Sequence, residues 1–237
     1  ALVKLGAQVA IEAGAGDAAG FADDAYRDAG AEIAADRNKL LSACDLLLQV
    51  RAAGANPNHY ADDLQQLSDR HAVVGTCDPL GAPEAIAEYA DRGVTLFGME
   101  MLPRITRAQS MDVLSSMATI AGYKAVLLAA DRLPKLFPMM MTAAGTLTPA
   151  KVFVIGAGVA GLQAIASARR LGAVVQAYDV RAAVKEQIES LGAKFVEMEL
   201  ETGDSETAGG YAKQLGEEFY QKQRELMASV VAESDVV

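Results

Sequence analysis

The chain has 237 residues, 51% of them hydrophobic, with 21 glycines and no Trp, which suits one large αβ domain or two of ordinary size with cores of small aliphatic side chains. No apolar run reaches the roughly 18–20 residues of a spanning helix, and no secretory leader pattern stands at the start. The net charge of −10 argues against nucleic acid and anionic membrane surfaces as general partners, while leaving room for one local phosphate site.

In chain order, "ALVKLGAQVAIEAGAG" opens with what reads as the tail of a helix, followed by a strand at 8–13 and a Gly-rich turn. A doubly wound domain normally begins with a strand and a full helix. "AESDVV" breaks off as another strand begins, so the chain reads as an excerpt with pieces missing at both ends. Further strands are expected at 46–50, 72–76, 94–98, 152–155, 174–179 and 194–198. Helices are expected at 61–69, 83–91 and 162–171, with Pro83 suited to a first turn. Strand and helix in alternation imply a parallel sheet covered on both faces. Apolar residues at 113, 117, 120, 121, 127 and 128 trace a helical stripe over 113–131, and Asp112 or Ser110 is placed to cap it. The expected organisation is an N-terminal αβ domain at 1–112, a connecting helix and linker at 113–144, and a second αβ domain at 145–237. A ligand cleft is expected between the two αβ domains. Cys44 and Cys77 lie far apart, outside any Cys-x-x-Cys pair and unflanked by His at metal spacing. They read as buried free thiols in a reducing compartment.

The most informative stretch is "KVFVIGAGVAGLQAIASARRLGAVVQAYD". A strand runs into Gly156-Ala157-Gly158-Val159-Ala160-Gly161 and a helix follows at once. Gly156 permits the turn, Gly158 lets a pyrophosphate approach the backbone, and Gly161 lets the helix pack close to the strand. The helix start offers N–H groups and a partial positive charge to that pyrophosphate. With strand before and helix after, the motif predicts a dinucleotide site in a Rossmann-like domain. The next strand ends at Asp179, where a carboxylate can accept both hydroxyls of the adenosine ribose and would repel a 2′-phosphate, which favours NAD. Arg181, two residues on, points the other way, toward a 2′-phosphate. Val159, Ala160, Val180 and Arg181 join Gly156, Gly158, Gly161 and Asp179 as candidate cofactor contacts. The stretch "ELETGDSETAGGYAKQLGEEF" is longer than the usual connection of about 2–6 residues. It reads equally as a surface insertion or as a lid over bound nucleotide.

Acid–base machinery is scarce. A dehydrogenase acting on an alcohol or amine needs a general base, most often His or Lys. The only histidines are His59, in a loop, and His71, at a helix end, and both read as surface or capping residues. No metal-ligand spacing appears. Passing a hydride between two nicotinamides moves no proton in that step, so it needs only alignment in a dry site.

The segments "RITRAQSMDVLSSMATIAGYKAV", "FPMMMTAAGTLTPAKVFVIGAGVAGLQAIASARRLGAVVQAYDVRAAVKEQIESLGAKF" and "ETAGGYAKQLGEEF" resemble the NAD(H)-binding domain of proton-translocating nicotinamide nucleotide transhydrogenase. The similarity covers most of the chain and is densest from about 94 to 237. It implies two Rossmann-like parallel-sheet domains joined by a long helix, truncated at both ends. It also implies a component that binds NAD(H), is expected to dimerise, and exchanges hydride with NADP(H) held on a partner domain. A separate membrane-spanning domain or subunit would couple this to proton movement, placing the chain at the cytoplasmic face of a bacterial inner membrane without inserting into it. Residue by residue, Arg104, Gln109 and Asp112, with Ser115 a turn later, match the family's loop at the nicotinamide end of the cleft. Gln109 would reach the nicotinamide ribose and the facing NADP side. Asp112 and Ser115 would orient the carboxamide, and Arg104 would order the group. Tyr211 falls in the family's mobile loop, which adds weight to the lid. Alanine dehydrogenase shares the two-domain architecture and is the alternative. Its pattern carries a His after the third strand and a Lys after the second, where this chain has "VGTCDPLG", with Cys77 and Asp78, and "LLLQVRAAG", with Arg51. A nucleotide-binding module without catalysis is a third reading, opposed only by the Arg-Gln-Asp loop.

Overall fold

The computed structural model describes residues 1–197 and 217–237, which divide into two compact units, Ala1–Asp112 and Val113–Val237.

The first unit runs β1 (Ala10–Glu12), α1 (Asp23–Asp28), β2 (Glu32–Ala34), α2 (Arg37–Ala43), β3 (Leu46–Arg51), α3 (Tyr60–Gln65), β4 (Ala72–Thr76), α4 (Pro83–Asp91) and β5 (Thr95–Gly98). β1 and β2 pair in parallel. β3, β4 and β5 form a parallel three-stranded sheet in that order. β4 is central, and its Val73 is fully buried. The core gathers Ala52, Ala53, Leu64, Leu67, Val73, Cys77, Tyr89 and Val94. Pro83 stands in the first turn of α4, where its missing N–H leaves no intrahelical bond unmade, and the same helix buries Ala85 and Tyr89. An ionic network centred on the buried Asp63 ties four elements together. Asp63 of α3 accepts from Arg37 Nε and Nη2 at 2.9 and 2.8 Å and from Gln49 Nε2 at 2.9 Å, and Arg37 also pairs with Glu12. Asp63 is only 3% exposed, so its charge is tolerated because these donors replace water.

The second unit runs α5 (Val113–Arg132), β6 (Met140–Thr142), β7 (Gly145–Leu147), β8 (Lys151–Ile155), α6 (Val159–Arg170), β9 (Val174–Tyr178), α7 (Lys185–Ser190), β10 (Lys194–Phe195) and α8 (Glu217–Ala232). β10, β9 and β8 form a parallel sheet in that order. Val236 bridges Val152 in parallel, so β8 has neighbours on both sides. β6 and β7 make an antiparallel hairpin. The core includes Val152, Ile165, Ala168, Val175, Ala177 and Ile188, with Val126 of α5 among them. α5 is long and apolar enough to cross a membrane by length and composition alone, although Lys124 interrupts its apolar run. Its half-buried and buried positions 115, 118, 122, 126 and 129 lie along one side, the spacing of a helix that packs on a neighbour.

The α/β class and the parallel pairing expected from the strand–helix alternation hold in both units. The differences are local. The strand expected at 8–13 is limited to Ala10–Glu12, and among the described residues the one expected at 194–198 is limited to Lys194–Phe195. The helix expected at 61–69 ends at Gln65, because the Ser68 N–H donates to His71 Nδ1 at 2.9 Å and so closes a turn instead. The helix expected from 162 begins at Val159, directly after Gly158; two glycine-flanked residues there cost little, since first-turn N–H groups have no intrahelical acceptor anyway. β2, α1, α2 and the β6–β7 hairpin went unread because each is too short to show a period.

Candidate functional site

The glycine motif forms the turn between β8 and α6. Gly156 has φ +95°, a left-handed conformation that disfavours any side chain, and its N–H donates to the Tyr178 carbonyl of β9 at 2.7 Å. Gly158 is the N-cap of α6. A Cβ built on it meets nothing within 4 Å, so this face of the turn is open to a ligand. Gly161 differs, since a Cβ there would stand 1.8 Å from the Gly156 carbonyl oxygen. The first glycine therefore dictates the third. Gly158 and Val159 are exposed, Ala160 and Gly161 half-buried. The helix start thus presents backbone N–H groups at a surface that an anionic group can reach.

Asp179 follows β9 and is 8% exposed. Its Oδ2 accepts the Ala157 N–H at 2.7 Å, which joins the end of β9 to the glycine turn. Arg181 donates to the same carboxylate three times, from its backbone N–H at 2.8 Å and from Nε and Nη2 at 2.9 Å each. Burial pushes the carboxyl up, but the Arg181 side chain, the N–H groups of Arg181 and Ala157 and the Arg181 charge outweigh it, holding the group below its ordinary value. The two competing features of the sequence are therefore one unit: Arg181 is the partner of Asp179. Val180 between them is half-buried. Tyr178, just before, receives a hydrogen bond on its hydroxyl from Gln223 of α8 at 3.1 Å.

These residues fit a dinucleotide. An ionised carboxylate, a left-handed glycine and an uncovered helix N-terminus meet at the C-terminal ends of two parallel strands, where α/β sheets bind nucleotides. Gly156, Gly158, Val159, Ala160, Gly161, Asp179, Val180 and Arg181 are thus brought together in the second unit. Tyr211 and the expected lid lie outside the described residues.

The Arg-Gln-Asp loop takes a different form. Residues Thr106–Met111 make a 3-10 helix, and the Asp112 N–H donates to the Gln109 carbonyl at 3.2 Å. Arg104 and Gln109 are exposed, Asp112 and Ser115 half-buried. Arg104, Gln109 and Asp112 belong to the first unit and Ser115, on α5, to the second.

The strand ends of the first unit bear on the alternative chemistry. Arg51 ends β3 and is exposed. After β4, the N–H groups of Cys77 and Asp78 both donate to Glu100 Oε1, at 2.6 and 2.5 Å. Asp78 is held at φ 51°. Cys77 is 1% exposed; burial first, then the Glu100 charge, pushes its thiol up to about 11. A thiol that stays protonated at neutral pH cannot act as a general base. Both cysteines are free, with Cys44 only half-buried. His59 is exposed; His71 is 3% exposed, and of the two roles expected for it the capping one fits, since its Nδ1 accepts the Ser68 N–H at 2.9 Å. Among the described residues no group of three or more His, Cys, Asp or Glu is placed to hold a metal. Glu100 was not legible beforehand; an acidic residue just past a strand end, beside the turn of the neighbouring strand, was the available signal.

Comparison with known proteins places these features in context. Residues 1–121 match the family described as alanine dehydrogenase/PNT, N-terminal domain, and residues 125–237 match its C-terminal domain. The first segment of the divided NAD(P) transhydrogenase subunit alpha of Rhodospirillum rubrum is 46% identical over 236 residues, which is 99% of this chain and 61% of that protein. An alanine dehydrogenase of Halomonas elongata is 33% identical over 183 residues, 75% of this chain and 47% of that protein. The crystal structure of a transhydrogenase from Sinorhizobium meliloti superposes with a TM-score of 0.84 at 47% identity, covering 99% of this chain and 61% of that one. The chain therefore spans about three-fifths of the length of the transhydrogenase relatives it matches.

Proposed function

The chain belongs to the alanine dehydrogenase/PNT family, and we propose that it is the NAD(H)-binding component of a proton-translocating transhydrogenase. In this reading hydride passes directly between NAD(H) on this chain and NADP(H) on a separate domain, coupled to proton movement through a membrane-spanning partner. The observation that carries it is the Asp179 carboxylate, held ionised and fastened to the glycine turn. There the two adenosine ribose hydroxyls would compete with the Arg181 donors for its oxygens, and its charge disfavours a 2′-phosphate.

NAD(H) supplies the transferable hydride when bound. The chain's own residues then bind and align. The N-terminus of α6 holds the pyrophosphate. As the resemblance implies, Gln109 would contact the nicotinamide ribose, Asp112 and Ser115 would orient the carboxamide, and Arg104 would order that group. The turn after β4, a region where the alanine dehydrogenase pattern carries a His, holds Cys77 and Asp78 here, and the absence of an imidazole from it supports hydride exchange over alanine oxidation. A homodimer at the cytoplasmic face of a bacterial inner membrane completes the reading. Its dimer part is supported by the exposed apolar side chains of Leu114, Met117 and Ile120 on α5 and of Met141 on the hairpin.

Fluorescence titration with NADH, followed by transhydrogenation with an added NADP(H)-binding domain, tests this. Tight NADH binding with hydride exchange supports the reading. NADH oxidation driven by pyruvate and ammonia, with no exchange, would replace it by alanine dehydrogenase.

A further inference from the structure

A glycine lets α5 and α6 approach closely. A Cβ built on Gly122 would lie 2.1 Å from the Ala160 carbonyl oxygen, 2.9 Å from its carbonyl carbon and 3.1 Å from its Cα. Gly122 is buried, and the obstructing atoms are backbone, so no rotamer change relieves the conflict. Ala160 is the second residue of α6 and lies inside the glycine motif, between Gly158 and Gly161. The backbone of the connecting helix thus rests directly against the phosphate-binding turn.

We propose that Gly122 is a positioning residue for nucleotide binding, setting the depth of the α6 N-terminus by letting α5 seat against Ala160. Any side chain at 122 must push the two backbones apart by more than roughly 1 Å to reach an ordinary contact. Displacement on that scale misaligns N–H groups aimed at a phosphate. The same contact sets a register. Ser115 lies seven residues before Gly122, two helical turns, hence on the same side of α5 and roughly 10 Å along its axis. Seating Gly122 therefore fixes where Ser115 stands along the line of the nucleotide. The inference rests on the nucleotide reading above.

The test compares the full-length wild-type protein with Gly122→Ala, and with Ala121→Val on the exposed side of α5 as a control, titrating NADH, ADP-ribose and adenosine. Gly122→Ala is expected to raise the Kd of NADH and of ADP-ribose on the order of tenfold and to leave adenosine, which has no phosphate, within about twofold. Ala121→Val is expected to change none of them. A folded Gly122→Ala protein with unchanged NADH affinity would overturn the inference, and so would an equal loss for adenosine, since that marks general damage. Wild-type protein that binds no NADH overturns the underlying reading instead. If Gly122→Ala does not fold, hydrogen exchange on the wild type decides. NADH is expected to protect the amides of both 156–161 and 121–124, and protection confined to the turn would sink the coupling.

Discussion

The Asp179 carboxylate accepts the backbone N–H of Ala157 at 2.7 Å, so the end of β9 is fastened to the turn that follows β8. One side chain thereby shapes the glycine turn. Asp179→Ala is expected to weaken NADH binding on the order of tenfold or more, the scale of a lost hydrogen bond to a charged group. Unchanged affinity by fluorescence titration would refute the ribose role. The carboxyl is held below its ordinary value of 3.8, so its contribution to stability is present above about that pH and is lost as pH falls through the lower folded value. Thermal midpoints measured from pH 6 downward should therefore drop more steeply for the wild type than for Asp179→Asn.

Arg181 donates to Asp179 three times. Removing it leaves the carboxylate charge uncompensated, so that the charge opposes a 2′-phosphate more strongly. Arg181→Ala is expected to lower affinity for NADPH more than for NADH, by roughly fivefold or more in the ratio of the two Kd values. A ratio that stays put would show that Arg181 plays no part in discrimination, and one that moves toward NADPH would reverse the sign argued for it.

Two glycines of one motif should fail differently. At Gly161 a Cβ meets the Gly156 carbonyl oxygen at 1.8 Å, whereas at Gly158 it meets nothing within 4 Å. Gly161→Ala should lower the melting temperature by several degrees, a destabilisation of about 1–3 kcal/mol. Gly158→Ala should leave melting nearly unchanged and weaken NADH. Calorimetry and titration on both variants separate the outcomes, and similar melting losses for the two would contradict the geometry.

The exposed Gln109 lies on the 3-10 segment before α5. If it aligns the two nicotinamides, Gln109→Ala should slow hydride exchange with an added NADP(H) domain far more than it weakens NADH binding. Equal losses in both would reduce it to a plain binding contact.

Arg37 covers the buried Asp63 carboxylate with two hydrogen bonds. Arg37→Met leaves that charge to Gln49 alone. The cost should be about 3 kcal/mol, the low end for breaking a buried pair, because the Arg37 side chain is 36% exposed. A urea midpoint unchanged from wild type would show that the network contributes nothing net.

Much of the second unit was legible in the residues. Val152–Ile155, the glycines at 156, 158 and 161, and Asp179 announce a strand, a turn, a helix and a second strand, because glycine spacing and strand composition are local properties of the chain. In the first unit, Ala72–Thr76 and Pro83–Asp91 were legible for the same reason. The short pieces were not: three residues at Glu32–Ala34 or Met140–Thr142 carry no period, and pairing with a neighbouring strand is what makes them strands.

By itself, the sequence determined the class of fold, the place of the glycine turn and the presence of a carboxylate at the end of the following strand. Those follow from covalent spacing and from what each side chain permits its own backbone. Only the tertiary structure decided that Arg181 binds Asp179 rather than standing ready for a phosphate, that Glu100 closes the turn after β4, and that Gly122 is glycine because Ala160 lies against it. Hydrogen bonds and close contacts of these kinds depend on distances of a few ångströms between backbone segments, and those distances exist only once the sheets and helices have packed.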